Sequence, residues 1–166
     1  YTAAQLLLLT RLALGETEID VPEFWEQKNR HYDSLRPAIE PEGFGSRDEG
    51  VLSRTTMVRA FRRSFTEADV FVFTLGLTEG WENADTSQPY AMCPGTHARH
   101  FNPADHVFRN YSYAEIRDAL ERAFALMRTV NPGLRFLLTV SPVPLTATAS
   151  GQHALVATTH SKSLMR

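Results

Sequence analysis

The chain has 166 residues, 43% hydrophobic and 22% charged, a balance that gives one domain a sizeable core and excludes collagen, coiled coil and disordered tail. Seventeen basic and nineteen acidic side chains leave a formal net charge of -2, so no bulk attraction to nucleic acid or an anionic membrane is expected. Cys93 is the only cysteine, which excludes a disulfide framework and any thiolate-rich metal site and fits a reducing, cytoplasmic setting. No apolar run reaches the roughly 20 residues of a spanning helix, so no membrane partner is expected.

Thr2 followed three residues later by Gln5 has capping-box spacing and predicts a helix over Ala3 to Leu14, stopped by Gly15. The leucine run inside it has no basic region before it and no small-residue cleavage site after it, so it does not read as a signal peptide. At the other end, Thr159 to Arg166 reads as the opening of another helix, without a Gly or Pro stop. Both ends read as breaks in a longer polypeptide, and the fold is expected to be incomplete at both.

Residues 16–45 form a first irregular insertion, with a short hairpin suggested around Phe24-Trp25 and Arg30 to Asp33. Ser46 and Glu49 set a second capping box, opening a helix with Val51, Val58, Phe61 and Phe65 as its apolar positions and Arg54, Arg59, Arg62 and Arg63 on other faces. Asp69 to Leu75 is a continuous β-branched and aromatic run, expected to be a strand buried on both faces. A second irregular insertion spans 77–110, long enough to read as a functional loop region.

A third capping box, Ser112 with Glu115, begins an amphipathic helix whose stripe is Ile116, Leu120, Phe124 and Met127, ended by Asn131-Pro132-Gly133. Arg135 to Val140 follows as another buried strand. Helix, strand, helix, strand with short joins is the pattern of a parallel α/β sheet. Ligands of such sheets bind beyond the carboxyl ends of the strands. The segments that qualify are Gly76-Leu77-Thr78-Glu79-Gly80-Trp81 and Ser141-Pro142-Val143-Pro144-Leu145. On the residues alone, a pocket rim and an ordinary pair of strand-ending turns remain equally open.

Phe71 to Glu79, Cys93-Pro94-Gly95, Asn110-Tyr111-Ser112, Leu138 to Pro144 and Ser161-Lys162-Ser163 occur in that order, and together they resemble the GSCFA-domain family across the whole chain. That family is similar to the SGNH hydrolases. The resemblance implies a single partial domain over 1–166 with a flavodoxin-like, three-layer parallel sheet. It further implies a bacterial serine esterase or acyltransferase acting on O-acyl groups, with a small-molecule or carbohydrate acyl ester as partner and no cofactor. A serine would attack the carbonyl, a His–Asp pair would manage the proton, and backbone amides would hold the oxyanion. The Gly-Ser-Cys-Phe-Ala signature that carries the presumed nucleophile does not occur in this sequence, and the chain alone is expected to be inactive.

By position, Gly76 and Thr78 would lie near the oxyanion, with Glu79 and Trp81 lining the pocket and Ser141 contacting substrate. Thr78 stands where the related block carries asparagine, and a threonine hydroxyl donates only one hydrogen bond, through a shorter side chain. His160, expected at the start of the last helix, is the candidate general base, although Ala157 stands where an Asp-x-x-His pattern would put its acid.

Two rival chemistries are visible. His97, His100 and His106 supply three imidazoles for a metal-dependent hydrolase, but Asn102-Pro103 breaks the stretch and the spacing reads better as a solvated loop; no metal is expected. Cys93 could be a nucleophile, but Cys-Pro-Gly is turn chemistry and brings neither base nor positive charge. A non-catalytic module that holds a sugar or acyl ligand through Trp81 is the main alternative to an enzyme.

Overall fold

A computed structural model describes residues 1–96, 98 and 101–166. His97 and His100 of the proposed histidine set lie outside these residues.

The chain opens with α1 (Ala3–Leu14), capped reciprocally: Gln5 N donates to Thr2 Oγ1 at 3.3 Å and Thr2 N donates to Gln5 Oε1 at 2.8 Å. Gly15 ends it at φ 78°, the left-handed conformation that a residue without a Cβ adopts at little cost. An antiparallel hairpin follows, β1 (Phe24–Gln27) with β2 (Arg30–Asp33). Its two turn residues, Lys28 and Asn29, have φ of 51° and 59°, as a two-residue turn matched to strand twist requires.

In α2 (Arg47–Thr66), the Ser46 hydroxyl accepts from Glu49 N, but the Glu49 carboxylate reaches past Ser46 to Gly45 N at 2.8 Å. Arg54, assigned by periodicity to a face away from the core, is fully buried. Its guanidinium donates to Asp33 Oδ1 from Nη2 at 2.6 Å and from Nε at 3.1 Å, and to the carbonyls of Ile19, Pro22 and Glu23. It also lies 4.1 Å from the centroid of the Phe24 ring. One helix side chain thus gathers the first insertion onto the helix. Gly50, one turn earlier, admits the same ring, since a Cβ there would run into Phe24 Cε1.

Strand β3 (Val70–Leu75) is followed by β4 (Glu79–Asn83), β5 (His106–Asn110), α3 (Tyr113–Val130), β6 (Arg135–Val140) and α4 (Ala154–Leu164). β3 and β6 pair in parallel, from Val70 opposite Arg135 to Leu75 opposite Val140. β4 and β5 form an antiparallel hairpin inside what reads as a purely irregular insertion. Their charged and glycine-containing sequences hide the strand period. Trp81 pairs with Phe108 across the ladder, and Arg109 Nε lies 3.4 Å from Glu82 Oε2.

The main core packs α1, α2 and α3 on one face of the parallel pair, around Leu6, Leu12, Phe65, Phe71, Leu75, Leu120 and Met127. Burying a side chain of this size contributes about 1.5–3 kcal/mol. Asn131 draws the end of α3 to that of α2 by donating to the carbonyls of Phe65 and Ala68, each at 2.9 Å. The expected burial of both sheet faces is corrected here: Val72 is 57% exposed and Leu137 52%, because the helices cover only the face carrying Phe71 and Leu75. The molecule is thus a mixed α/β structure with small parallel and antiparallel sheets.

The last helix also differs from expectation. It begins at Ala154, where the His153 ring Nδ1 accepts from Leu155 N at 3.2 Å and serves as the N-cap. His160 therefore falls in the second half of α4, on its exposed side, rather than at its start. Among the described residues no helix is long and apolar enough to cross a membrane.

Candidate functional site

The loops after β3 and β6 leave the sheet side by side, since Ser141 N donates to Leu75 O at 2.9 Å. Between them and the β4–β5 hairpin lies a cleft of about 360 Å³, lined in part by Leu77, Glu79, Trp81, Tyr90, Phe108 and Thr148. Cys93 stands at its edge. Of the residues proposed from sequence, Glu79 and Trp81 line this cleft, while Gly76, Thr78, Ser141 and His160 are not among its lining residues.

Thr78 lies beneath it as a junction. Its hydroxyl donates to Asn110 Oδ1 at 2.7 Å and is 2.7 Å from Ser161 Oγ, and its carbonyl accepts from Tyr111 N at 2.8 Å. A hydroxyl has one proton, so with that proton on Asn110 the Ser161 hydroxyl is the donor to Thr78. Lys162 Nζ donates to the Gly76 carbonyl at 2.6 Å, and burial, then Arg166, pushes this amine below its usual range. Three motifs far apart in sequence, around Thr78, Asn110 and Ser161, therefore meet at the carboxyl end of β3.

Ser141 closes a turn by accepting from Val143 N at 3.2 Å, and Ser150 Oγ lies 2.7 Å from Thr148 Oγ1. Burial raises the Cys93 thiol pKa, opposite to the shift that activates a nucleophile. His106 is buried among Trp25, Tyr90 and Phe101, with Nδ1 accepting from Asn102 N at 3.0 Å. Among the described residues no cluster of three His, Cys, Asp or Glu side chains could hold a metal ion.

Glu79 is 8% exposed, and its Oε1 accepts from Thr148 Oγ1 at 2.8 Å. Trp81 packs edge-on against Phe101 and Phe108, at centroid distances of 5.7 and 5.6 Å. Tyr90 donates its backbone N–H to the Trp81 carbonyl at 2.8 Å, and its own carbonyl accepts from Gln5 Nε2. Burial holds the Tyr90 phenol well above its usual range. Tyr90, Phe108 and Thr148 escaped the sequence reading. The available signal was the ladder partnership of Trp81 with Phe108, legible only once β4 and β5 are recognised as a hairpin.

Two other cavities differ in kind. One of about 440 Å³, bordered by α1, α3 and the hairpin, holds Arg109, Glu82, Glu115, Asp118 and Arg122. These charges pair among themselves, with Arg109 Nη2 to Glu115 Oε1 at 2.6 Å and Arg122 Nη1 to Asp118 Oδ2 at 3.3 Å. The other, about 390 Å³ between α1, α2 and β3, is apolar apart from Arg36 and Tyr1.

The site is thus an α/β cleft at the carboxyl ends of parallel strands, with one carboxylate set among aromatic rings. The chain matches the sequence profile of the GSCFA family over residues 1–166 and belongs to that family. No curated protein and no solved structure matches it.

Proposed function

We propose that this chain forms the ligand-binding wall of an SGNH-like serine acyl-ester site, part of an esterase or acyltransferase acting on O-acyl groups, acyl-carbohydrates being the substrate class. The observation that carries the reading is the cleft at the carboxyl ends of β3 and β6, where ligands of parallel α/β sheets bind. A flavodoxin-like arrangement is part of the proposal, supported by the parallel pairing of β3 with β6.

In this reading Trp81 and Phe108 offer apolar faces to a sugar ring or acyl chain, and Glu79 orients its hydroxyls. Thr78, its proton held by Asn110, fixes the loop rather than donating to an oxyanion. The nucleophile is none of Ser141, Ser150 and Ser161, whose hydroxyls are engaged in turns and packing. Hydrolysis of p-nitrophenyl acetate and of an acylated sugar tests the proposal. The product of the complete coding region should turn over at least one, and residues 1–166 alone neither. Turnover by residues 1–166 alone contradicts the missing nucleophile, and an inert complete product contradicts the esterase reading.

A second reading, a non-catalytic sugar or acyl-ligand module, is favoured by the same commitment of the Thr78 proton. Calorimetry with sugars before and after Trp81→Ala separates it: a loss of about tenfold in affinity is expected. Equal binding by both proteins, or none by the unaltered one, removes it.

A further inference from the structure

Among the described residues two acidic side chains, Asp33 and Glu79, are buried, and they are treated differently. Asp33, fully buried, receives the Arg54 guanidinium. Glu79, 8% exposed, has one hydroxyl, that of Thr148, on Oε1. Among the described residues it forms no ion pair with Lys, Arg or His, whereas Lys162 spends a donor on the Gly76 carbonyl. Its second oxygen has no hydrogen bond among those residues and is not sealed off, and Glu79 lines the cleft. A charge held away from water costs free energy unless a partner of opposite sign or several donors meet it. The cleft that Glu79 lines is mainly apolar, with Leu77, Trp81, Phe108 and Leu145 beside the more polar Tyr1, Thr2, Gln5 and Thr148.

We infer that the missing partner is the ligand's: the cleft selects a compound carrying an ammonium group on a hydroxylated ring, an amino sugar by class, and Glu79 sets that preference. This deepens the proposed function and rests on its reading of the cleft as the ligand site. A protonated amine would donate to Oε2 in a charge-assisted hydrogen bond, and the aromatic faces would attract the same cation and stack on the ring's C–H groups. Anionic ligands would meet an unshielded carboxylate and be rejected.

Calorimetry of residues 1–166 with glucosamine, N-acetylglucosamine, glucose and glucuronate tests this. Glucosamine is expected to bind at least about tenfold more tightly than glucose or N-acetylglucosamine, with glucuronate weakest. Glu79→Gln keeps an acceptor for Thr148 while removing the charge, and should bring glucosamine and N-acetylglucosamine within about threefold of each other. Equal affinity of the unaltered chain for all four sugars overturns the inference but leaves sugar binding standing. No binding of any of them overturns both. A preference for glucosamine that survives Glu79→Gln also overturns the role given to Glu79. Should that variant fail to fold, the unaltered chain still decides: raising ionic strength must weaken glucosamine and spare glucose, and an insensitive glucosamine affinity refutes the charge pairing.

Discussion

The two insertions, 16–45 and 77–110, are both rich in turn residues, yet one is shut and the other left open. In the first, Asp33 lies at the end of β2 and is met by Arg54, whose remaining donors satisfy three carbonyls of the same segment. In the second, Glu79 opens β4 and meets a threonine hydroxyl and a cleft. A buried carboxylate provided with the chain's own cation holds structure together. One left without a cation marks a place where something else can bind.

Breaking the closed side should produce the largest effect. Arg54→Met removes the close cation from buried Asp33, leaving only Arg36 at 3.7 Å from Oδ2, and takes the donor from the Ile19 and Pro22 carbonyls; it should cost about 3–5 kcal/mol in urea unfolding. Adding Asp33→Leu to that variant should recover a substantial part of the loss, because the uncompensated charge disappears with the second change. A small loss in the single variant would mean that the ion pair does not hold the insertion.

The open side should be less sensitive. Thr78→Val strands Asn110 Oδ1 and the Ser161 hydroxyl and should cost about 1–3 kcal/mol by the same unfolding measurement, with Thr78→Ser nearly neutral. If serine costs as much as valine, packing of the Thr78 methyl group rather than the hydroxyl junction is what matters. The smallest effect concerns Cys93 at the cleft edge. Burial raises its pKa, so at a pH just below the ordinary thiol range the folded chain carries less thiolate than the unfolded one. Iodoacetamide should then react more slowly with the folded chain than with the chain in urea. Faster reaction in the folded state would point to an activated thiol and reopen Cys93 as a nucleophile.

Elements with a local chemical signature were legible in the residues. The Thr2–Gln5 and Ser112–Glu115 boxes fix the starts of α1 and α3, and the apolar runs fix β3 and β6 because they are short, β-branched or aromatic, and flanked by turn residues. Parallel pairing of β3 with β6 followed from the alternation of helix and strand. What escaped depends on partners distant in sequence. Arg54 reads as a surface residue until Asp33, 21 positions earlier, is brought against it. β4 and β5 carry glycine and charge that mask a strand and are joined only across the whole second insertion. Helix α4 starts earlier than expected because histidine, an uncommon N-cap, supplies the acceptor. At the site, the positions of Glu79 and Trp81 beside their strand pointed to the cleft, whereas Tyr90 and Thr148 joined it through tertiary contacts that no local pattern announces.

We propose that the cleft beside Glu79 and Trp81 is where this protein binds its ligand. The chain has two tryptophans, Trp81 at the cleft and Trp25 sealed at 1% exposure in the aromatic cluster beneath. Their indole N–H signals in a nitrogen-15 NMR spectrum, followed during a glucosamine titration, report directly on that claim. The Trp81 signal is expected to move with saturation while that of Trp25 stays in place; a Trp81 signal that does not move, or movement confined to Trp25, rules out the cleft as the ligand site.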